Sequence, residues 1–115
     1  MSRDIVNTHC ATLPGAERSD PWGGGHDCWK VGGKVFALIG AQHNLGVSVK
    51  CRDSEAAHLL IEIGQAERAP YLHRSWVRIP WGVLEADDLR HRLDMSYDFI
   101  RAKLPKKVQT ALAPR

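Results

Sequence analysis

The paired glycines Gly32 and Gly33 constrain the fold of this chain more than any other feature. They separate two β-prone runs, residues 28–31 and 34–39. A two-residue hairpin loop needs positive φ angles at its central positions, and glycine adopts such angles without a steric penalty. The pattern therefore predicts a β-hairpin.

Two further strands extend the predicted hairpin into a sheet. Residues 45–50 follow a turn expected over 40–44 and alternate valines with polar residues, as a third antiparallel strand does. Residues 76–79 form another β-prone run, and Pro80 after it is typical of an edge strand or a strand terminus. We expect an antiparallel sheet of four to five strands, arranged as a meander around the hairpin.

Helical periodicity predicts about three helices beside this sheet, which makes the fold class α+β. The first spans about residues 3–12. The second begins at Asp53 or Ser54, either of which can serve as its N-cap, and stops before Gly64. The third runs over residues 87–104, with acidic residues in its first turn and a proline directly after it.

The length and composition fit one domain. With 115 residues, of which 43% are hydrophobic and 25% charged, the chain is large enough to bury a single core. We expect this domain over residues 1–107 and a frayed tail over 108–115.

The longest purely apolar run, residues 35–39, is too short to cross a membrane, and no secretory signal pattern is present, so we expect a cytoplasmic protein.

No group of residues has the spacing of an enzyme active site or a metal site. The three cysteines, Cys10, Cys28 and Cys51, lie far apart, which favours reduced thiols over disulfides. His26 and Cys28 form a tight cluster, but two ligands are too few to hold a metal ion. Glycine-rich nucleotide-binding motifs are absent as well. We therefore expect no enzyme activity, no cofactor, no metal and no small-molecule substrate.

Short motifs distributed along nearly the whole chain form a family pattern. They are Leu13-Pro14-Gly15, the segment from Trp29 to Ala37, Val49-Lys50-Cys51, Pro70-Tyr71-Leu72, Ser75-Trp76-Val77, Ser96-Tyr97 and residues 102–107. In this order they resemble the YjbR/MmcQ family of small bacterial proteins. The resemblance implies a compact antiparallel sheet flanked by helices, similar to the fold of type III secretion chaperones, and a role in DNA binding. It assigns no catalytic or base-contacting residue.

The net charge of +3 is too small to indicate a polyanionic partner by itself, so the placement of the basic residues matters more. Phosphate contacts need Lys and Arg on one surface. In the predicted strands Lys30 faces away from Trp29 and Val31, and Lys50 faces away from Val49. The predicted nucleic-acid-contacting residues are Lys30, Lys34, Lys50, Arg52, Arg78, Lys106 and Lys107. The alternative interpretation is that such lysines only protect strand edges and maintain solubility.

The C-terminal segment carries much of the basic character. Residues 101–115 contain five basic side chains and no acidic one. Lys103 lies near the end of a helix, where a cation stabilises the helix dipole. Lys106 and Lys107 follow Pro105. Two interpretations of these lysines and Lys103 stay open, a mobile clamp on a phosphate backbone and a solvated tail.

Trp22 is the predicted exposed aromatic residue. It lies beside Pro21 and three glycines, within residues 14–25, which we expect to form a loop. Exposed aromatic side chains among basic residues stack on unpaired bases or planar ligands. The other three tryptophans, Trp29, Trp76 and Trp81, are expected to be buried.

Two functional hypotheses follow. The first is a DNA-binding module without enzyme activity or sequence specificity, which contacts phosphates through a basic sheet face. The second is a protein-interaction or chaperone-like domain that uses an apolar sheet face or groove. A homodimer is compatible with both.

Overall fold

The computed structural model describes residues 2–41 and 45–115 and shows helices packed on an antiparallel sheet. Within these residues the helices are Ser2–Cys10 (α1), Ser54–Glu62 (α2), Ala86–Ala102 (α3) and Lys106–Ala111 (α4). The strands are Glu17–Ser19 (β1), Asp27–Val31 (β2), Lys34–Ile39 (β3), Gly46–Lys50 (β4), Glu67–Arg68 (β5) and Trp76–Pro80 (β6). The turn predicted over 40–44 lies partly outside the described residues.

The sheet confirms the predicted α+β class and the predicted hairpin. Its strand order is β1-β2-β3-β4-β6-β5, and each neighbouring pair is antiparallel. Gly32 and Gly33 connect β2 to β3 with φ angles of 56° and 82°, as the two-glycine loop predicts. Pro80 is the last residue of β6, so of the two alternatives for this proline the strand terminus is correct.

The two edge strands, β1 and β5, raise the number of strands from the expected four or five to six. They have three and two residues, and every residue of β1 is exposed. Such short polar segments show no apolar alternation. They become strands only because β2 and β6 offer backbone groups with which they can pair.

The helices pack against one face of the sheet, which we call the helix-covered face. Buried residues of the central strands, among them Val49 and Val77, share one hydrophobic core with Leu93 of α3 and Leu60 of α2. The N-terminus of α2 is capped by Asp53, whose carboxylate accepts the Ala56 N–H at 2.8 Å.

A bulge in β3 connects the sheet to the middle of α3. Trp29 pairs with Ala37 and Lys30 pairs with Val35, which leaves Phe36 as the extra residue. The Phe36 ring is fully buried and packs perpendicular to the Tyr97 ring, with 5.4 Å between ring centroids. Ser96 Oγ donates to the Phe36 carbonyl at 2.6 Å and accepts the Lys50 N–H at 2.8 Å.

The C-terminal segment is packed, which corrects the expectation of a frayed tail over 108–115. Residues 106–111 form α4, and both Val108 and Leu112 pack against the core. The guanidinium of Arg115 forms ion pairs with Asp94 at 3.2 Å and with Asp98 at 2.7 Å. The sequence pattern misses this packing because α4 is short and its apolar contacts are with residues distant in the chain.

No helix in the described part of the chain is long and apolar enough to cross a membrane.

Candidate functional site

A groove of about 880 Å³ lies on the face of the sheet opposite the helix-covered face, which we call the open face. Its floor includes Leu38 of β3, Gly46 and Ser48 of β4 and Arg78 of β6. Two loops flank this floor, one between β1 and β2 and one between β5 and β6. Because those strand pairs lie at opposite edges of the sheet, the loops border the groove from its two sides. We call it the open-face groove.

The loop between β1 and β2 presents Trp22 to the groove. The side chain is 64% exposed, as predicted, and its ring packs edge-on against His26 with 5.2 Å between centroids. Asp20 orders the loop, since its carboxylate accepts the N–H groups of Gly25 at 2.8 Å and His26 at 3.1 Å. Trp22 is thus held in a defined loop while its ring remains open to solvent.

The loop between β5 and β6 presents Tyr71, which is fully exposed. The N–H of Leu72 bonds to the carbonyl of Ala69, which closes a β-turn with Pro70 and Tyr71 at its centre. Tyr71 has a φ of 66°, the left-handed conformation that the third position of a type II turn requires and that glycine or asparagine usually fills. A bulky side chain in this conformation is uncommon and strained.

Three of the predicted phosphate-contacting residues lie together on the open face. Lys30 follows Trp29 in β2 and Lys50 follows Val49 in β4, and both preceding residues pair with Ala37 of β3. Strand alternation therefore puts Lys30 and Lys50 on the same face, and Lys50 shares its row with Trp76 of β6. Arg78 lies one row further along β6, where it pairs with Ser48.

Two glutamates reduce the positive charge of this face. Arg78 Nε donates to Glu67 at 2.5 Å, and Glu17 is the cross-strand neighbour of Lys30. Lys50 Nζ instead donates to the carbonyl of Cys51 at 3.0 Å. Partial burial lowers the pKa of Lys50, and the nearby charge of Lys103 lowers it further.

Trp76 also belongs to the open face, which corrects the expectation that it is a core residue. It is the cross-strand partner of Lys50 and is half-buried, whereas Val77 and Ile79 face the helices. Three of the four residues in 76–79 are apolar, so the sequence pattern alone does not show which of them face the core. Trp29 is buried, as expected, and Trp81 is partly buried against the core.

The remaining predicted residues do not join this group. Lys34 lies at the exposed end of the hairpin, and exposed Arg52 pairs with its neighbour Asp53. Lys106 and Lys107 are exposed on α4, which contacts Gly32 and Leu104 on the helical side of the molecule. They are helical residues rather than part of a mobile clamp.

Tyr71 lines the groove but is not among the site residues predicted from the sequence. Its signal was present in the Pro70-Tyr71-Leu72 motif, since proline at the second turn position favours a type II turn. Sequence alone did not indicate that this turn lies across the sheet from Trp22.

The cysteines are buried and unpaired. Burial, reinforced by the negative charge of Asp94, raises the pKa of Cys10 to about 12. Burial also raises the pKa of Cys28 and of Cys51. Such thiols stay protonated, unlike those of nucleophilic cysteines. Among the described residues no three side chains of His, Cys, Asp or Glu are grouped closely enough to hold a metal ion.

The fold and the groove define a class of small α+β proteins whose single sheet is helix-covered on one face and open on the other. The family model named YjbR matches residues 11–99, so the chain belongs to the YjbR family. This confirms the resemblance drawn from the sequence motifs.

A solved structure is similar to the whole fold. The crystal structure of Deinococcus radiodurans protein DR2400, which carries a DUF419 domain, is similar with a TM-score of 0.82 and 24% sequence identity. The match covers 94% of this chain and 85% of that chain. No curated protein sequence matches the chain.

Proposed function

We propose that this YjbR-family protein is a nucleic-acid-binding module without enzyme activity, which contacts DNA phosphates through the open face of its sheet. One observation carries the proposal: the register places Lys30, Lys50 and Arg78 on the face that the helices leave uncovered. Lysine and arginine side chains gathered on one surface are what phosphate binding requires.

The charge balance limits the expected strength of this binding. Glu67 pairs with Arg78 and Glu17 neighbours Lys30, so the open face neutralises only a few phosphates. If two phosphates are neutralised, the logarithm of the binding constant falls with the logarithm of salt concentration at a slope of about 1.4 for single strands and about 1.8 for duplex DNA. We therefore expect modest affinity that is measurable at low salt.

Titration of labelled single-stranded and duplex DNA between about 50 and 200 mM salt tests the proposal. The double variant Lys30→Gln and Lys50→Gln should weaken binding and reduce the slope on single strands by about 0.7 for each phosphate that is no longer neutralised. The matched control is Lys106→Gln with Lys107→Gln, which removes the same charge from the helical side. Absence of binding at low salt, or equal weakening by both double variants, would contradict the proposal.

Protein binding through the open-face groove is the second candidate function. It is favoured by the exposed rings of Trp22 and Tyr71, because large apolar side chains at the rim of a groove are typical of docking sites. Binding of an uncharged extended peptide with little salt dependence would support this alternative.

A further inference from the structure

We propose that unpaired bases stack on Trp22 and on Tyr71 at the two sides of the open-face groove, so that the protein binds single-stranded nucleic acid in preference to duplex. This inference rests on the proposed function and deepens it. It concerns stacking on the faces of bases, which is tolerant of sequence, and not the reading of base edges.

The two aromatic residues are displayed from ordered loops. The first loop is ordered by the carboxylate of Asp20, which accepts two of its backbone N–H groups. The second is held by its β-turn and by the Ser75 carbonyl, which accepts the Cys51 N–H at 2.7 Å. Aromatic side chains on ordered loops lose little conformational entropy when a ligand binds, which favours stacking.

The conformation of Tyr71 is difficult to explain by folding alone. Its ring is fully exposed, so it contributes no packing to the core, yet its backbone is held at a φ of 66° where glycine would be unstrained. Residues strained in this way are concentrated at ligand-binding sites. A role for the ring in contacting a ligand accounts for both features.

The cations of the open face favour a nucleic acid strand as the ligand, although Glu67 pairs with one of them, Arg78. Arg78 lies in the floor of the groove, and Lys50 lies in the next row of the open face beside Trp76. When a base of a single strand lies in the groove, the phosphates of that strand can contact the cations on the same face. Extended peptides typically pair with a sheet edge, whereas this groove lies across the centre of the sheet.

Duplex DNA does not fit this arrangement. A base in a duplex is stacked and paired, so stacking it on either side chain requires its removal from the helix, an energetic cost that is absent for a single strand. Phosphate contacts alone would bind both forms. The aromatic pair is therefore expected to add affinity for the single strand only.

The experiment compares three fluorescein-labelled 12-mers of equal length: oligothymidine, its duplex with oligoadenine, and an abasic strand with the same phosphates. Oligothymidine should bind at least about 5-fold more tightly than the abasic strand. Trp22→Ala and Tyr71→Ala should each weaken oligothymidine binding by about 5- to 50-fold and leave abasic binding unchanged. Trp22→Phe and Tyr71→Phe keep an aromatic ring and should largely retain the binding of oligothymidine.

The outcomes separate the inference from the proposed function. Equal, salt-dependent binding of all three ligands would overturn the inference and leave phosphate binding standing. Unchanged oligothymidine binding by the two alanine variants would overturn the inference as well. Binding of none of the ligands at low salt would overturn both, and binding of an uncharged Val-Thr repeat peptide instead would assign the groove to a protein partner.

Discussion

At the scale of single residues, Tyr71 combines a strained backbone with an exposed side chain. Its left-handed conformation is unfavourable for a bulky residue. Its ring is exposed, so no packing contact in the core offsets this cost. Tyr71→Gly should therefore raise the free energy of unfolding by about 1 kcal/mol, measured by urea denaturation. The control Tyr71→Ala keeps a Cβ atom and the strain, so it should gain little. Destabilisation by Tyr71→Gly would show that the ring contributes to folding.

Lys50 is the second residue on the open face whose placement opposes folding. Its pKa is lowered from the ordinary value of 10.5, so between the folded and unfolded pKa values the unfolded chain binds more protons. The free-energy cost of keeping the charged amine in the folded protein is fully present below the pKa of the folded state. It disappears as the pH rises towards 10.5, the pKa of the unfolded chain.

Lys50→Met should accordingly gain stability relative to the wild type at pH 7, and the gain should shrink as the pH approaches 10.5. Urea unfolding of both proteins at several pH values measures this difference. Lys34→Met, at the exposed end of the hairpin, controls for the general removal of a positive charge. A gain that is the same at every pH would contradict the assignment of the effect to Lys50 ionisation.

At the scale of elements, α4 is a packed part of the fold. Leu112 follows the helix and packs against the core close to Gly15. Leu112→Ala should lower the free energy of unfolding by about 1 to 2 kcal/mol, because the side chain is partly rather than fully buried. Lys107→Ala, on the exposed side of the same helix, should change it little. Equal effects of the two substitutions, measured by urea denaturation, would mean that the segment frays as the sequence suggested.

The elements also show why the sequence predicted some strands and not others. The hairpin and β4 are marked by Gly32-Gly33 and by the alternation of Val47 and Val49, which are local signals. β1 and β5 have no local signal, because their pairing depends on backbone groups that β2 and β6 bring from elsewhere in the chain. The prediction for Trp76 is wrong because the apolar residues around it are consistent with either orientation of the strand.

At the scale of the whole molecule, the two faces of the sheet have different roles. The helices bury one face in the core, and the other carries the groove and three of the predicted cations. Amide chemical shifts recorded by NMR during titration with oligothymidine should therefore change near Trp22, Leu38, Ser48, Tyr71 and Arg78. Those of α3, on the far side of the sheet, should change little. Changes centred on α3 or α4 would place binding on the helical layer and contradict both proposals.

The candidate site was only partly predictable. Lys30, Lys50 and Trp22 were selected from strand alternation and from the glycine-rich loop around the tryptophan, which depend on residues near them in sequence. The groove itself joins loops that lie about fifty residues apart in the chain, and no local pattern encodes that they border one floor. Lys106 and Lys107 were grouped with the sheet lysines by charge, although α4 lies on the other side of the molecule.

The Gly32-Gly33 hairpin, the valine alternation of β4, the α+β class and the family were determined by the sequence itself. The hairpin, the strand and the class depend on short-range backbone and periodicity rules, whereas the family depends on the order of motifs along the chain. Only the tertiary structure decided which face of the sheet the helices cover, and hence that Trp22, Tyr71 and Arg78 surround one groove. That choice depends on burying the apolar surfaces of distant elements together, and the open face is the surface that remains.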